Sequence, residues 1–295
     1  MNKYLIFRTD RVGDFLLTAI LIKSIKRNDV NSYIKIVASV KNSNYIQSFE
    51  NINEVVELKK GLINKIRIIY KLQKDNYNSI IIHDGKNRSK FISFFLKSKN
   101  KIFVNSRILF SQINKIKKIL GALNYNFEED DLNTLNNRKY TKKINLPKKY
   151  IVLHFDEKWI YNTYIRSYQN IEPDENQLLL FLSALLNKLN KNIIVTTGIN
   201  TPKILSNIFS KKINSKIELF KNLNFFDLEK VVINSDLLIS CHGSISHICA
   251  AKKIKQIDII DRSYKYSLWT EHFRNYQSIV RTKFSDLSKN ILDNL

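Results

Sequence analysis

The sequence predicts an α/β protein of two parallel-sheet domains, and three observations carry that expectation. Short β-branched runs alternate with helical patterns, the alternation comes as two separate series, and a polar stretch at 128–149 (EEDDLNTLNNRKYTKKINLPKK) ends near Pro147 between them. Bulky apolar strands alternating with helices are the pattern of parallel sheets covered on both faces. A length of 295 residues suits two domains of about 150 residues each. With 44% hydrophobic and 11% aromatic residues the chain can bury real cores, which excludes a disordered protein.

In the first series the strand candidates are KYLIFR (3–8), YIKIVASV (33–40), EVVEL (54–58), SIIIH (79–83) and KIFV (101–104), with helices at 14–27, 61–75, 88–97 and 108–123. In the second they are YIVLH (150–154), NIIVTT (192–197), KIEL (216–219), LLISC (237–241) and QIDII (256–260), with helices at 174–190, 202–210, 225–234 and 245–253. Residues 284–295 form a last helix, with Ser285 as N-cap and an apolar face of Leu287, Ile291, Leu292 and Leu295. The expected division is therefore 1–147, 148–283 and the helix 284–295.

No apolar run approaches the ~18–20 residues of a membrane span, and YLIF is too short for a signal-peptide core. Two cysteines, Cys241 and Cys249, exclude a disulfide scaffold and fit a reducing compartment. The expectation is a cytoplasmic protein.

Charge is unevenly placed. Of the net +23, residues 1–150 carry +18 (30 basic, 12 acidic) and residues 151–295 carry +5 (19 and 14). Between Gly85 and Phe127 ten basic residues stand without one acid. Such a field is either a solvated basic face in a Lys- and Asn-rich chain or a surface for an anionic partner. Shared codon pressure does not explain the difference between the halves. The stretch permits nucleic-acid binding, but no recognisable motif supports it.

Four of the six glycines, Gly13, Gly85, Gly198 and Gly243, follow predicted strands directly. Parallel sheets bind ligands outside the carboxyl ends of their strands, where glycine lets the backbone take positive φ or approach a ligand. These positions suggest two ligand-facing rims across a cleft. Neither GxGxxG nor GxxxxGK[ST] is present.

Three constellations bear chemistry. In RTDRVGDFLLT (8–18), Asp14 either complements the dipole of the helix it begins or serves as a general base on the sheet rim. In SDLLISCHGSISHICAA (235–251), a strand enters a small-residue turn and a helix. This is a capped helix or a diphosphate site built from free N–H groups, hydroxyls and the imidazole of His247. A zinc site from Cys241, His242, His247 and Cys249 matches no standard spacing. In LHFDEKW (153–159), Lys158 can neutralise a phosphate, and Thr196, Thr197 and Gly198 after the next strand can offer hydroxyls or N–H groups.

Together these motifs resemble glycosyltransferase family 9, the heptosyltransferases of lipopolysaccharide core assembly. The first resembles the family's R-x-x-x-[IL]-G-D-x-x-x-T-x-P, the second its A-D-x-x-[IV]-x-x-D-T-G-P-x-H-x-A-A-A, and YNSIIIHDG (77–85) looks like its Y-D-x-x-[IV]-D-x-x-G. The resemblance covers most of the chain in the right order. It implies a GT-B fold class: two Rossmann-like parallel-sheet domains facing each other across a cleft, acceptor on the first and nucleotide-sugar on the second, with helix 284–295 crossing back toward the first. It implies Asp14 as catalytic base, and His247 and Lys158 near the donor diphosphate. Thr196, Thr197, Gly198, His242, Gly243, Ser244 and Ser246 complete the donor set; Arg8, Arg11, Gly13, Lys86, Arg88 and Lys90 form the acceptor rim. The departures are His242, Gly243, Ser244 and Ile245 where the family has Asp, Thr, Gly and Pro, and Ile20 for a proline.

The reaction so implied is inverting and metal-independent, with no cofactor and with the nucleotide-sugar as substrate. The expected partners are that donor, an anionic glycolipid or glycan acceptor, and an anionic inner-membrane surface to which the enzyme attaches peripherally; no nucleic acid is expected. The alternatives are transfer to a capsular or other surface glycan, and a non-catalytic sugar-nucleotide binder whose donor site His242 has altered.

Overall fold

The computed structural model describes residues 1–103, 110–135, 144–163, 165–211 and 213–295. Val104, Arg107, the start of the helix expected from 108, and the middle of the 128–149 stretch lie outside the described residues.

The first sheet holds β1 (Lys3–Arg8), β2 (Tyr33–Ser39), β3 (Glu54–Leu58), β4 (Tyr77–Ile82) and β5 (Ser98–Phe103), all parallel, in the order β3-β2-β1-β4-β5. Its helices are α1 (Val12–Asn28), α2 (Ser43–Gln47), α3 (Leu62–Leu72), α4 (Asn87–Phe94) and α5 (Gln112–Ala122). The central strand is buried on both faces: Leu5, Ile6 and Phe7 are inaccessible to solvent. That is why β1 reads as a continuous apolar run.

The second sheet holds β6 (Tyr150–His154), β7 (Asn192–Thr196), β8 (Ile217–Phe220), β9 (Leu237–Cys241), β10 (Lys255–Ile260) and β11 (Tyr276–Val280), again all parallel, in the order β11-β10-β9-β6-β7-β8. Its helices are α6 (Glu175–Leu189), α7 (Lys203–Phe209), α8 (Phe225–Ile233) and α9 (Ser244–Lys252); α10 (Ser267–Thr270) and α11 (Phe284–Asp293) follow in the chain. The ten expected strands all form, and β11, α2 and α10 are additional. β5 begins three residues earlier than KIFV, because its polar stretch Ser98–Asn100 pairs with β4 through the backbone alone.

The chain divides into two compact units, Met1–Arg138 with Ser267–His272, and Lys139–Tyr266 with Phe273–Leu295. The final helix, which the family resemblance takes back toward the first domain, packs within the second unit. Phe284, Leu287 and Ile291 join its core, and the Phe284 ring meets Phe181 of α6 edge-on at 5.7 Å. The late segment that groups with the first unit is Ser267–His272.

Both sheets start at a central strand and build outward on one side before crossing to the other. The strand order reverses between β1 and β4 in the first unit and between β6 and β9 in the second. Adjacent connections then leave in opposite directions and open a crevice at the carboxyl ends, the usual ligand position of such sheets.

Candidate active site

In the first unit the reversal point gathers the segments after β1 and β4. Arg8 is buried; its Nε donates to Thr18 Oγ1 at 2.6 Å and Nη1 to Asp10 at 3.1 Å, while Nη2 has no partner among the described residues. A guanidinium only donates, so the Thr18 hydroxyl, accepting from Arg8, donates its own O–H to His83 Nδ1, 2.9 Å away. Burial, and then the charges of Arg8 and Lys115, push the His83 imidazole well below its ordinary value, which keeps it neutral with the proton on Nε2. Burial, and then Arg8, also lowers the Lys115 ammonium.

Asp14 stands in the first turn of α1, and its Oδ2 accepts the Arg11 backbone N–H at 3.2 Å. It therefore performs the helix-end role. Its carboxyl is also raised above the ordinary range, chiefly by burial and then by Asp10, against the pull of Arg8, the Arg11 N–H and Lys86. Arg11 is exposed, and Gly13 is buried within α1.

The basic residues after β4 divide by role. Arg88 donates to the Thr9 carbonyl at 2.7 Å and to the Thr9 hydroxyl, and Lys86 Nζ reaches the same carbonyl at 3.2 Å. The Thr9 hydroxyl in turn donates to Asp84 at 2.5 Å, which also accepts from Ser89. Lys86 and Arg88 thus tie the two rim loops together, and Lys90 lies half-buried in α4.

In the second unit Lys158 reaches from the loop after β6 to the start of α9. Its Nζ lies 2.6 Å from Asp156 Oδ2 and 3.4 Å from the Cys241 carbonyl. Burial alone would lower this ammonium, but Asp156 outweighs it and the net shift is upward; the Asp156 carboxyl is held far below the carboxylate range by Lys158 and His154 despite its burial. Both stay charged. A Cβ built on Gly243 would stand 2.7 Å from Lys158 Nζ. Glycine is needed there for close approach, not for conformation, since Gly243 has extended backbone with φ −179°. Of the four glycines after strands only Gly85 takes positive φ, at 63°. At Gly198 the crowding neighbour is the Glu157 carboxylate.

At the start of α9 the hydroxyls differ. Ser246 is buried, accepts the Gly243 N–H at 3.2 Å and donates to Asp258 at 2.7 Å. Ser244 is half-buried in the first turn. His242 Nδ1 lies 2.5 Å from Asp258 Oδ2, and its ring meets those of His247 (5.7 Å) and Tyr266 (4.8 Å) edge-on. The His247 ring meets Phe273 edge-on at 5.2 Å. Thr196 is inaccessible, with its hydroxyl 2.9 Å from His154 Nδ1; Thr197 is buried and donates to the Gly198 carbonyl.

Sequence reasoning passed over Asp84, Asp156, Asp258 and Arg281. Asp258 had a signal: a carboxylate in the middle of the apolar run QIDII needs a partner when that strand is buried. Arg281, just past β11, had none. It donates to the carbonyls of Lys158 (2.8 Å) and Gln169 (3.2 Å), and lies 5.0 Å over the Tyr168 ring. With Lys158, Tyr161 and Tyr168 it lines a small pocket. Among the described residues no group of three or more His, Cys, Asp and Glu is placed to hold a metal ion.

Two parallel α/β units of this kind make up the GT-B class of fold, the class the family resemblance implies. The chain is similar over nearly its whole length to Escherichia coli heptosyltransferase WaaC with ADP, with a TM-score of 0.75, 12% identity, and coverage of 99% of this chain and 100% of that one. A glycosyltransferase family 9 structure from Veillonella parvula follows with a TM-score of 0.68, 12% identity and 98% and 89% coverage. A putative UDP-N-acetylglucosamine 2-epimerase from Listeria monocytogenes has a TM-score of 0.63, 13% identity and 99% and 87% coverage. At these identities the likeness is one of fold. No protein-family model matches the sequence, and no curated protein is significantly similar to it.

Proposed function

We propose that this chain is an inverting, metal-independent glycosyltransferase that moves heptose or a related sugar from a nucleotide-diphosphate donor to an anionic surface glycan such as lipopolysaccharide core. The observation that carries this reading is the Lys158 ammonium seated against Gly243 at the first turn of α9. A helix N-terminus and a fixed cation together suit a diphosphate. The fold likeness to a heptosyltransferase with ADP supports the same ligand class.

In the reaction Asp14 takes the proton of an acceptor hydroxyl as that oxygen bonds to the anomeric carbon. The bond from that carbon to the diphosphate oxygen breaks, and the departing electron pair becomes negative charge on the diphosphate. Lys158, the N–H groups opening α9, Ser244 and His247 receive that charge. The raised Asp14 carboxyl makes a better base than an ordinary aspartate. Arg8, whose Nη2 has no partner among the described residues, and the nearby Lys115 favour an anionic acceptor.

The test is incubation with a panel of nucleotide-diphosphate sugars, ADP-heptose included, reading nucleoside-diphosphate release and thermal stabilisation together. Release dependent on acceptor and unaffected by EDTA is expected. Loss of release in EDTA, restored by a divalent ion, would sink the metal-independent mechanism. Stabilisation without release by any acceptor would instead favour a non-catalytic sugar-nucleotide binder.

A further inference from the structure

Helix α4 turns its aromatic side chains outward. Ser89, Ile92 and Ser93 are inaccessible, whereas Phe94 is 78% exposed and Phe91 and Phe95 are also on the surface. Its neighbour α3 behaves similarly: Ile68 and Leu72 turn inward, while Ile63 (69%), Ile66 and Tyr70 (70%) face solvent. The two apolar sets lie on neighbouring helices. α3 packs on α4, the Gln73 side chain donates to the Phe95 carbonyl at 3.1 Å, and the Phe95 ring meets Phe91 and Phe94 edge-on at 5.1 and 5.5 Å. An exposed apolar patch of this kind signals an interaction surface.

Along these two segments the charge is of one sign, with Lys71 paired to Glu54 of β3 at 3.3 Å. Residues 58–74 and 85–103 contain twelve Lys and Arg and no Asp or Glu. Lys74 lies 5.4 Å over the Tyr70 ring, and Lys101 Nζ reaches the Phe94 carbonyl at 3.4 Å, so cations border the apolar residues directly.

We propose that the α3–α4 face is a membrane-docking surface that seats on anionic phospholipid. Aromatic and aliphatic side chains enter the boundary between headgroups and acyl chains, and the surrounding lysines meet the anionic headgroups. A second copy of the chain fits poorly, because pairing two such faces brings two cationic rims together. Nucleic acid fits the charge but gains nothing from Ile63 and Ile66. The inference deepens the transferase reading by naming the face through which a lipid-anchored acceptor is approached. Vesicle binding needs neither donor nor acceptor, so the two proposals fail separately.

The experiment is co-sedimentation of the full chain with vesicles of phosphatidylcholine alone and of equal parts phosphatidylcholine and phosphatidylglycerol, at low and high salt. Strong partitioning to the mixed vesicles, weakened by salt, is expected. The double variant Ile63→Ser/Phe94→Ser should partition about tenfold less or worse, with thermal unfolding and ADP binding unchanged. A Phe94→Trp variant should gain blue-shifted emission on the mixed vesicles, over the background of Trp159 and Trp269. Absence of binding to the mixed vesicles, or no emission shift at position 94, overturns the proposal. So does tighter retention on RNA than on the vesicles, or a wild-type dimer that the double substitution makes monomeric while vesicle binding is unchanged.

Discussion

His242 Nδ1 sits 2.5 Å from Asp258 Oδ2, at the turn where the resembled motif carries aspartate instead of histidine. Asp258 is inaccessible and also accepts from Ser246, so the carboxylate accepts the Nδ1–H hydrogen bond and leaves Nε2 to meet a ligand. His242→Asp would set a second carboxylate against a buried one. We expect that change to weaken nucleoside-diphosphate binding at least as much as His242→Ala, whereas His242→Gln retains most of it. Calorimetric titration of the three variants with ADP measures the order. His242→Asp binding as tightly as wild type would remove Asp258 from the donor site.

Asp14→Asn should keep the fold and lose transfer. Removal of a general base costs roughly 10²–10⁴ in rate. Because the carboxyl is raised and must be ionised to act, activity should fall, as pH is lowered, at a higher pH than the 3.8 of an ordinary aspartate. The kcat/KM profile of wild type, beside the residual rate of a folded Asp14→Asn protein, tests this. Full activity in the variant returns Asp14 to its helix-end role.

Gly243→Ala should act on the donor alone. Its methyl group must displace the Lys158 ammonium, so ADP affinity should drop by about 1–2 kcal/mol while acceptor KM stays the same. Lys158→Ala should weaken ADP by roughly 1–3 kcal/mol and also lower thermal stability, since it leaves the buried Asp156 charge without its ammonium. Unchanged ADP affinity in both variants would move the diphosphate elsewhere.

Stability in acid should depend on Asp75. Bonds from Lys3 at 2.8 Å and from Lys35 at 2.6 Å hold its carboxyl down to about 2. A depressed carboxyl contributes stability that is complete above its unfolded value near 3.8 and is lost as pH falls through about 2. Lys35 is buried and also pairs with Glu54 at 2.7 Å. Lys35→Met should cost roughly 2–3 kcal/mol at neutral pH and flatten the decline between pH 4 and 2. Urea unfolding at pH 7, 4 and 2 reads both effects.

Much of the fold was legible because parallel strands are buried on both faces. Residues such as YLIF in β1 and YIVL in β6 announce themselves as apolar runs between helical patterns. β11 did not, since Tyr276, Gln277 and Ser278 at a sheet edge carry little apolar signal. Strand order was invisible in the sequence, although it decides which loops meet. Lys158 and the glycine it abuts are 85 residues apart, and only the adjacency of β6 and β9 joins them. The same gap hid the partner of His242: Asp258 lies on the next strand, while the motif containing His242 ends at Ala251. Arg8 was legible as a rim cation, but its burial between Thr18 and Asp10 depends on tertiary packing.

The grouping of Ser267–His272 with the first unit has a consequence for how the protein can be made or recombined. All five strands of the first sheet have been synthesised by Phe103, yet that unit is complete only once residue 272 has been added, after β10 and before β11. No single break in the polypeptide separates the units. A fragment ending at Arg138 lacks six residues of its own unit, and one beginning at Lys139 carries them as a foreign insertion. Exchanging either unit with a homologue therefore takes three crossovers in the gene, and truncation screens should recover few stable halves.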